Sequence, residues 1–263
     1  MTTSRVSNPV MRAHEIIFGE IAGLQELDEV VDDTIAAAVE LLAGTRGKVV
    51  VSGVGKSGLI GAKLASTFAS TGTPSFFLHA AEAAHGDLGM ITPDDTVLLI
   101  SNSGDSREIH PLLEYCQLQG IPLIAMCSRP ESRLGKAANV LLRLPKVVEV
   151  CPNQLAPTTS ATVTLVLGDV LAVMLMEARS FRDSDFAELH PGGRLGLMLS
   201  TVRRYLDEYG GEVPFVAPDV PLEIVISRLA DGRKGCIVVA DPATSSLLGI
   251  CLLYTSPSPR DRS

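Results

Sequence analysis

The chain has 263 residues, 46% of them hydrophobic, which is enough to bury one large core and a smaller appendage. Its formal net charge of −8 excludes a general nucleic-acid-binding role, because contact with phosphate backbones requires clustered cations. The five cysteines are an odd number without C-x-x-C spacing, which argues against a disulfide framework or a structural zinc site and favours a reducing cytoplasm.

The N-terminal part of the chain has helical periodicity. An amphipathic run from about Met11 to Leu42 predicts one long helix that packs on the domain that follows. Residues 1–10 lack the charged-then-apolar pattern of an export signal, so no targeting segment is predicted there.

Short apolar runs then alternate with helical periodicity, the pattern of successive βα units. Five strands are predicted, at Val49–Ser52, Ser75–His79, Thr96–Ser101, Pro122–Cys127 and Val140–Leu144. Helices are predicted at Leu59–Ser70 and at Glu108–Gln119, where Gly120 is a stop signal. The predicted fold class is α/β, a doubly wound five-stranded parallel sheet flanked by helices.

Another long helix is predicted from about Pro157 to Phe181. Its segment Ala161–Ala178 is apolar enough to be considered as a membrane span, but Asp169 near the middle would be costly in hydrocarbon. We therefore predict a buried core or dimer-interface helix and no membrane contact.

A polar, glycine-containing segment marks a domain boundary, and a smaller unit follows it. That unit is predicted to contain strands at Pro214–Val216, Cys236–Ala240 and Leu247–Cys251 and a helix at Leu222–Ala230. The last twelve residues change abruptly to a Ser/Pro/Arg composition, which we interpret as foreign sequence after a truncation. The predicted divisions are a helical segment at 1–45, the main domain at 46–206, a linker at 207–212, the small unit at 213–251 and an artefactual tail at 252–263.

Two turns carry the functional signal. The glycine turn (residues 52–58, SGVGKSG) follows the first predicted strand, and the serine turn (residues 101–108, SNSGDSRE) follows the third. Small residues let backbone N–H groups and hydroxyls approach an anion closely, and a helix that starts there adds its positive dipole end. Since the carboxyl ends of parallel strands share one edge of a sheet, the two turns predict a site for a phosphorylated small molecule.

Two nucleotide interpretations of the glycine turn are weaker. A Walker A loop needs a glycine five residues before Gly55, and that position is Val50. The spacing Gly53-x-Gly55-x-x-Gly58 matches a dinucleotide fingerprint, but the second strand ends at His79 rather than at an acid. Chemistry on a sugar phosphate is favoured instead.

The candidate site residues also have plain structural interpretations. Lys56 can be a solvated lysine, although its confinement in a glycine turn favours an active-site role, and Glu108 in a first helical turn is stabilised by the dipole regardless of function. The hydroxyls of the serine turn can cap a helix with the same geometry that binds phosphate. His85 and His190 lie in glycine-adjacent turns that suit either a ligand contact or a surface histidine.

Five motifs in order resemble the D-arabinose 5-phosphate isomerases of the KpsF/GutQ type, in which a sugar isomerase (SIS) domain precedes two cystathionine-β-synthase (CBS) modules. They are the two turns and the segments 68–74 (FASTGTP), 83–90 (AAHGDLGM) and 189–196 (LHPGGRLG). The resemblance covers about residues 12–250 and implies interconversion of D-ribulose 5-phosphate and D-arabinose 5-phosphate, which supplies synthesis of the lipopolysaccharide sugar Kdo. It also implies that 213–251 is an incomplete CBS module.

The resemblance assigns roles to individual residues. It implies a catalytic set of Lys56, Glu108, Glu149 and His190. The predicted substrate contacts are Gly55, Ser57, Gly72, Thr73, His85, Ser101, Ser103, Ser106, Lys146, Thr158 and Ser160. No cofactor is required by this interpretation, and a zinc ion that turnover does not need is placed at His79.

An aldose–ketose isomerisation moves a proton between neighbouring carbons through a cis-enediol, and one base can perform both transfers. We predict that Glu108 is that base, because partial desolvation tunes a carboxylate towards neutral pH, and that Lys56 stabilises the enediolate. His190 is predicted to move hydroxyl protons, and His85 to orient the sugar.

Two alternatives stay open. A sugar-phosphate sensor would need the serine turn but not the ionisable groups around it, and the run Met11–Leu42 lacks the basic helix-turn-helix character that sensors of this fold often carry. An isomerase for another phosphosugar, such as a heptose or hexulose phosphate, is the alternative among enzymes. A homodimer or homotetramer is predicted through the two long flanking helices, with His190 reaching a neighbouring subunit's pocket.

Overall fold

A computed structural model of the chain describes residues 8–190, 198, 201–203, 207, 214–232 and 235–252. The chain divides into two compact units, Met1–Gly196 and Leu197–Ser263. Outside the described residues lie most of the predicted linker (208–212), the predicted tail beyond residue 252, and residues 191–196 of the last family motif.

The first unit is built on a five-stranded sheet. Its strands are β1 (Val49–Gly53), β2 (Ser75–His79), β3 (Thr96–Ile100), β4 (Leu123–Cys127) and β5 (Val140–Arg143). Their order across the sheet is β2-β1-β3-β4-β5, and every neighbouring pair is parallel. The predicted fold class is confirmed, and the strand ends differ from the prediction by no more than one residue.

Helices cover both faces of this sheet. One layer contains α1 (Pro9–Val30), α2 (Thr34–Ala43), α3 (Gly55–Ser70) and α7 (Thr159–Ala178); the other contains α4 (Ala80–Ala83), α5 (His110–Gln119) and α6 (Arg133–Ala137). Short 3₁₀ turns lie at Asp87–Met90 and Arg107–Ile109, and α8 (Asp183–Leu189) follows α7. Because side chains alternate along a strand, Val49 and Val51 pack into the first layer and Val50 into the second.

The prediction of a single helix over Met11–Leu42 was wrong, since the chain forms α1 and α2 instead. Val31 is extended (φ −67°, ψ 128°) and ends α1. The Asp32 carboxylate then accepts hydrogen bonds from the Thr34 backbone N–H (2.9 Å) and hydroxyl (2.6 Å), which gives the backbone a local alternative to helix continuation.

Among the described residues, α7 is the one helix long and apolar enough to cross a membrane by length and composition. Its side chains Val163, Leu167 and Leu171 are buried in the core, and Asp169 forms an ion pair with Lys63 of α3. The predicted interpretation as a buried core helix is therefore confirmed.

The second unit is a small α/β fold. It contains β6 (Phe215–Val216), α9 (Leu222–Gly232), β7 (Cys236–Ala240) and β8 (Leu247–Leu252). β6 pairs with β7 in parallel and β7 pairs with β8 in antiparallel orientation, around a core that includes Val216, Val225 and Ile237. All four elements agree with the predicted positions, and the assignment to an incomplete CBS module stays a prediction.

Gly58 allows α3 to pack directly on the end of β1, since a Cβ at this position would lie 2.9 Å from the carbonyl oxygen of Gly53. We expect Gly58→Ala to lower the free energy of unfolding by about 1–3 kcal/mol, measured by urea denaturation, because two backbone segments would have to separate. Gly89→Ala is the control, as a Cβ there meets nothing within 4 Å. Equal stability of the two variants would contradict this account of Gly58.

Candidate active site

The two turns lie at the topological switch point of the sheet. β1 and β3 are neighbours, and the chain leaves them towards opposite edges, which opens a crevice at their carboxyl ends. Gly53, within the glycine turn, is paired with Ile100, the residue directly before the serine turn. The structure thus brings the two turns together at one edge of the sheet.

A first cavity, of about 290 Å³, adjoins the glycine turn, and we call it the lysine cavity. It is lined by Val54, Lys56, Ser57, Ile60, Asn102, Glu149, Gln154, Leu155, Pro157, Ser160, Ala161 and Thr164. Lys56 belongs to the first turn of α3 and Glu149 to the loop after β5, so an ammonium and a carboxylate share this cavity.

A second cavity, of about 260 Å³, adjoins the serine turn, and we call it the serine cavity. It is lined by Val54, Ser57, Ile100, Ser101, Asn102, Ser103, Ser106 and Ile109. Val54, Ser57 and Asn102 line both cavities, which are therefore adjacent. Four serine hydroxyls around one small space suit a phosphate group.

The serine turn is held in shape by its own polar groups. The Ser101 hydroxyl accepts a hydrogen bond from the Gly104 N–H (3.2 Å) and lies 3.3 Å from the Ser106 hydroxyl. Gly104 has a φ of +70°, and a Cβ there would lie 2.1 Å from the Ser132 hydroxyl oxygen. A glycine is thus required at this position both by the backbone conformation and by the packing.

Glu149 is fixed at the start of α7 by four hydrogen bonds. One carboxylate oxygen accepts from the Thr158 N–H (2.7 Å), the Thr158 hydroxyl (2.9 Å) and the Ser160 N–H (3.2 Å), and the other accepts from the Ser160 hydroxyl. Burial raises the pKa of Glu149, but the hydrogen bonds from Ser160 and Thr158 outweigh burial and hold the pKa below its ordinary value. Glu149 is therefore an anion near neutral pH that its four hydrogen bonds hold in place, and its catalytic role stays a prediction.

The lowered pKa of Glu149 predicts a pH dependence of stability. Because the folded pKa lies below the ordinary value of 4.5, the carboxylate contributes stability above pH 4.5, and this contribution is lost as the pH falls through the folded pKa. Urea unfolding of Glu149→Gln and wild-type protein should therefore show a stability difference that is constant near neutral pH and shrinks in acid. A difference that stays the same down to pH 3, well below the ordinary value, would contradict the shift.

Four other predicted site residues do not line these two cavities. Glu108 is exposed in the 3₁₀ turn between Ser106 and Ile109, both of which line the serine cavity. His85 and Lys146 are exposed, two residues after α4 and three after β5. His190 is half-buried after α8, where its ring stacks on Phe186 (centroids 3.8 Å apart) and its Nδ1 lies 2.9 Å from the Phe186 carbonyl oxygen.

Gly72 and Thr73 precede β2 and therefore lie at the opposite, amino edge of the sheet. A five-residue strand spans roughly 16 Å, so the structure does not bring them to the two cavities of their own subunit. Gly72 has a structural role, with a φ of +87° and the Phe181 ring within 2.5 Å of a Cβ position. A substrate contact by these two residues stays a prediction and would require a second subunit.

His79 by itself does not fit a zinc site. Its Nδ1 accepts a hydrogen bond from the Ala81 N–H (3.3 Å), and no group of three or more His, Cys, Asp or Glu side chains is gathered within the described part of the chain. We derive no step through a metal, and zinc at His79 stays a prediction. The histidine lines a third cavity, of about 490 Å³, together with Lys56, Leu59 and Phe77.

Sequence reasoning did not single out Asn102, which lines both cavities, or Gln154 and Leu155, which line the lysine cavity. Asn102 belongs to the serine turn, so its position in the sequence could have identified it as a site residue. Gln154 has a positive φ of 52° in a loop whose N–H groups at Leu155 and Ala156 bond the Cys151 sulfur, and nothing in the sequence pattern indicates this conformation.

Comparison with known proteins identifies the family to which the chain belongs. Residues 41–174 match the sequence profile of the SIS domain, so this is a SIS-domain protein. The arabinose 5-phosphate isomerase KdsD of Yersinia pestis is 50% identical over 222 residues, which cover 84% of this chain and 68% of that protein. The chain belongs to the arabinose 5-phosphate isomerase family.

Solved structures agree with this assignment. An Escherichia coli CFT073 protein in complex with arabinose 5-phosphate is 40% identical, with a TM-score of 0.68, over 71% of this chain and 100% of that one. The sugar isomerase domain of an RpiR transcription factor from Sphaerobacter thermophilus is 17% identical, with a TM-score of 0.55, over 74% of this chain and 98% of that one. The second likeness shows the fold alone.

Proposed function

We propose that this protein is an aldose–ketose isomerase that interconverts D-ribulose 5-phosphate and D-arabinose 5-phosphate. The observation that carries the proposal is the pair of adjacent cavities, one lined by four serine hydroxyls and the other by Lys56 and Glu149. Relatives named arabinose 5-phosphate isomerase, at 43–50% identity, support this substrate over a heptose or hexulose phosphate. Supply of Kdo synthesis and a cytoplasmic location are parts of the same proposal.

The two cavities bind different parts of the substrate in this proposal. The serine cavity holds the phosphate through hydroxyl and backbone N–H groups, which leaves the C1–C2 end of the extended sugar in the lysine cavity. Lys56 stabilises the negative oxygen of the cis-enediolate as it forms. Glu108 lies beside the serine cavity, and its exposed carboxylate lacks the four bonds that occupy Glu149. It extends towards the lysine cavity to transfer the proton between C2 and C1.

The test is incubation of the purified protein with D-ribulose 5-phosphate while NMR follows the appearance of D-arabinose 5-phosphate. We expect conversion to equilibrium without added metal or cofactor. Binding of the sugar phosphate without conversion would instead support the sensor, which shares this fold.

Association of subunits is the second part of the proposal. Helix α1 exposes large apolar side chains, including Val10, Ile17 and Phe18, and α7 exposes Val173. In a dimer or tetramer that covers these faces, His190 of one subunit would enter a cavity of its neighbour. We expect light scattering to give a dimer or tetramer, and a fully active monomer would contradict the proposal.

A further inference from the structure

Three helical segments begin at the carboxyl edge of the sheet: α3 in the glycine turn, the 3₁₀ turn and α5 after the serine turn, and α7. The free N–H groups and positive dipole end at a helix start attract anions. At α7 two of these groups are already occupied, since the Thr158 and Ser160 N–H groups donate to Glu149. The Glu149 carboxylate therefore occupies the position at the start of α7 to which a phosphate would otherwise be attracted.

Among the described residues, the cavity assigned to the phosphate has no cationic side chain, whereas the cavity assigned to the uncharged end of the sugar has one. No lysine or arginine lines the serine cavity within the described part of the chain, whereas the lysine cavity contains the Lys56 ammonium. Without the Glu149 carboxylate, the lysine cavity would contain the Lys56 ammonium and the positive end of α7. It would then attract a phosphate dianion more strongly than the serine cavity. A sugar phosphate bound that way would place its reacting carbons away from Lys56.

We propose that Glu149 is a specificity-determining residue whose fixed negative charge keeps phosphate out of the lysine cavity. The substrate is thereby admitted in one direction, with its phosphate in the serine cavity and its uncharged C1–C2 end beside Lys56. This inference rests on the proposed function and deepens it. It gives Glu149 a role in substrate orientation rather than in proton transfer.

The contacts of Glu149 allow its charge to be removed with little change in its position. In Glu149→Gln, the amide oxygen can keep the three bonds from the Thr158 N–H, the Thr158 hydroxyl and the Ser160 N–H. The amide nitrogen replaces the oxygen that accepted from the Ser160 hydroxyl, and that hydroxyl can rotate to accept instead. The substitution therefore tests charge separately from placement.

The probe is D-ribulose 1,5-bisphosphate, which carries a second phosphate at the end that enters the lysine cavity. Its inhibition constant is compared with the KM for D-ribulose 5-phosphate. In the wild type the bisphosphate should bind far more weakly than the monophosphate. In Glu149→Gln this preference should shrink by about tenfold or more, because a like-charge repulsion across a few ångströms is removed.

Glu131→Gln is the matched control, since it changes the net charge equally at an exposed carboxylate paired with Arg129, outside both cavities. It should leave the preference for the monophosphate unchanged. An unchanged preference in folded Glu149→Gln, or an equal change in both variants, would overturn the proposal. Should Glu149→Gln fail to fold, equal binding of the two sugars by the wild type would overturn it, and strong discrimination would support it.

The outcome is separable from that of the proposed function. Failure of the wild type to convert D-ribulose 5-phosphate would contradict the isomerase assignment. The discrimination between monophosphate and bisphosphate would still be measured by calorimetry, which depends on binding alone.

Discussion

Lys56→Met is expected to lower kcat for the isomerisation by about 10²–10³-fold while the protein stays folded. The ammonium of Lys56 lines the cavity in which the enediolate would form, and a neutral side chain of similar length cannot stabilise the charge that develops there. Lys56 is exposed, and no ion pair to it is found among the described residues, so its removal should not unfold the chain.

Steady-state kinetics separate the two roles open to Lys56. Loss of an interaction made only with the enediolate lowers kcat and kcat/KM together, whereas loss of phosphate binding raises KM with kcat unchanged. Lys63→Met is the matched control on the same helix, because it removes one positive charge and an exposed ion pair with Asp169 at a cost of about 0–1 kcal/mol in stability. A normal kcat with raised KM in Lys56→Met would reassign Lys56 to holding the phosphate.

The strands were the most predictable part of the fold. A central parallel strand is buried on both faces, so Val49–Val51 and Val97–Ile100 form uninterrupted apolar runs that differ from their surroundings. Helix starts were less predictable. α3 begins at Gly55, four residues before the predicted start at Leu59. The prediction started too late because glycine has a poor helix propensity, so residues 55–58 do not look helical in the sequence. The helical start there is imposed by the tertiary packing of Gly58 on Gly53. The short helices α4, α6 and α8 lack enough turns to show periodicity.

The candidate site was predictable where it follows from topology. Both turns leave parallel strands at their carboxyl ends, which is enough to place them together once the sheet is assigned. The partner of Lys56 was not predictable from spacing, since the carboxylate that shares its cavity is Glu149 after β5 and not Glu108 in the adjacent turn. The state of Glu149 depends on hydrogen bonds from Thr158 and Ser160 that only the folded chain creates.

These contacts bear directly on the choice of base between the two carboxylates. A general base needs a free lone pair and a pKa near the working pH. Glu149 accepts four hydrogen bonds and has a lowered pKa, which opposes that role, whereas no hydrogen bond to the Glu108 carboxylate is present in the described part of the structure. Glu108 is therefore the better candidate, provided that substrate or a second subunit covers its exposed side chain.

Glu108→Gln is accordingly expected to slow the exchange of the substrate C2 proton with deuterated water by about 10²–10⁴-fold, measured by NMR, because the amide cannot accept that proton. Glu114→Gln on α5 is the control, since it removes the same charge from a carboxylate that pairs with Arg133 on the surface. Exchange at the wild-type rate in Glu108→Gln would eliminate Glu108 as the base. If exchange then disappeared in Glu149→Gln, the proton would have to leave through a carboxylate whose four hydrogen bonds rearrange when the substrate binds.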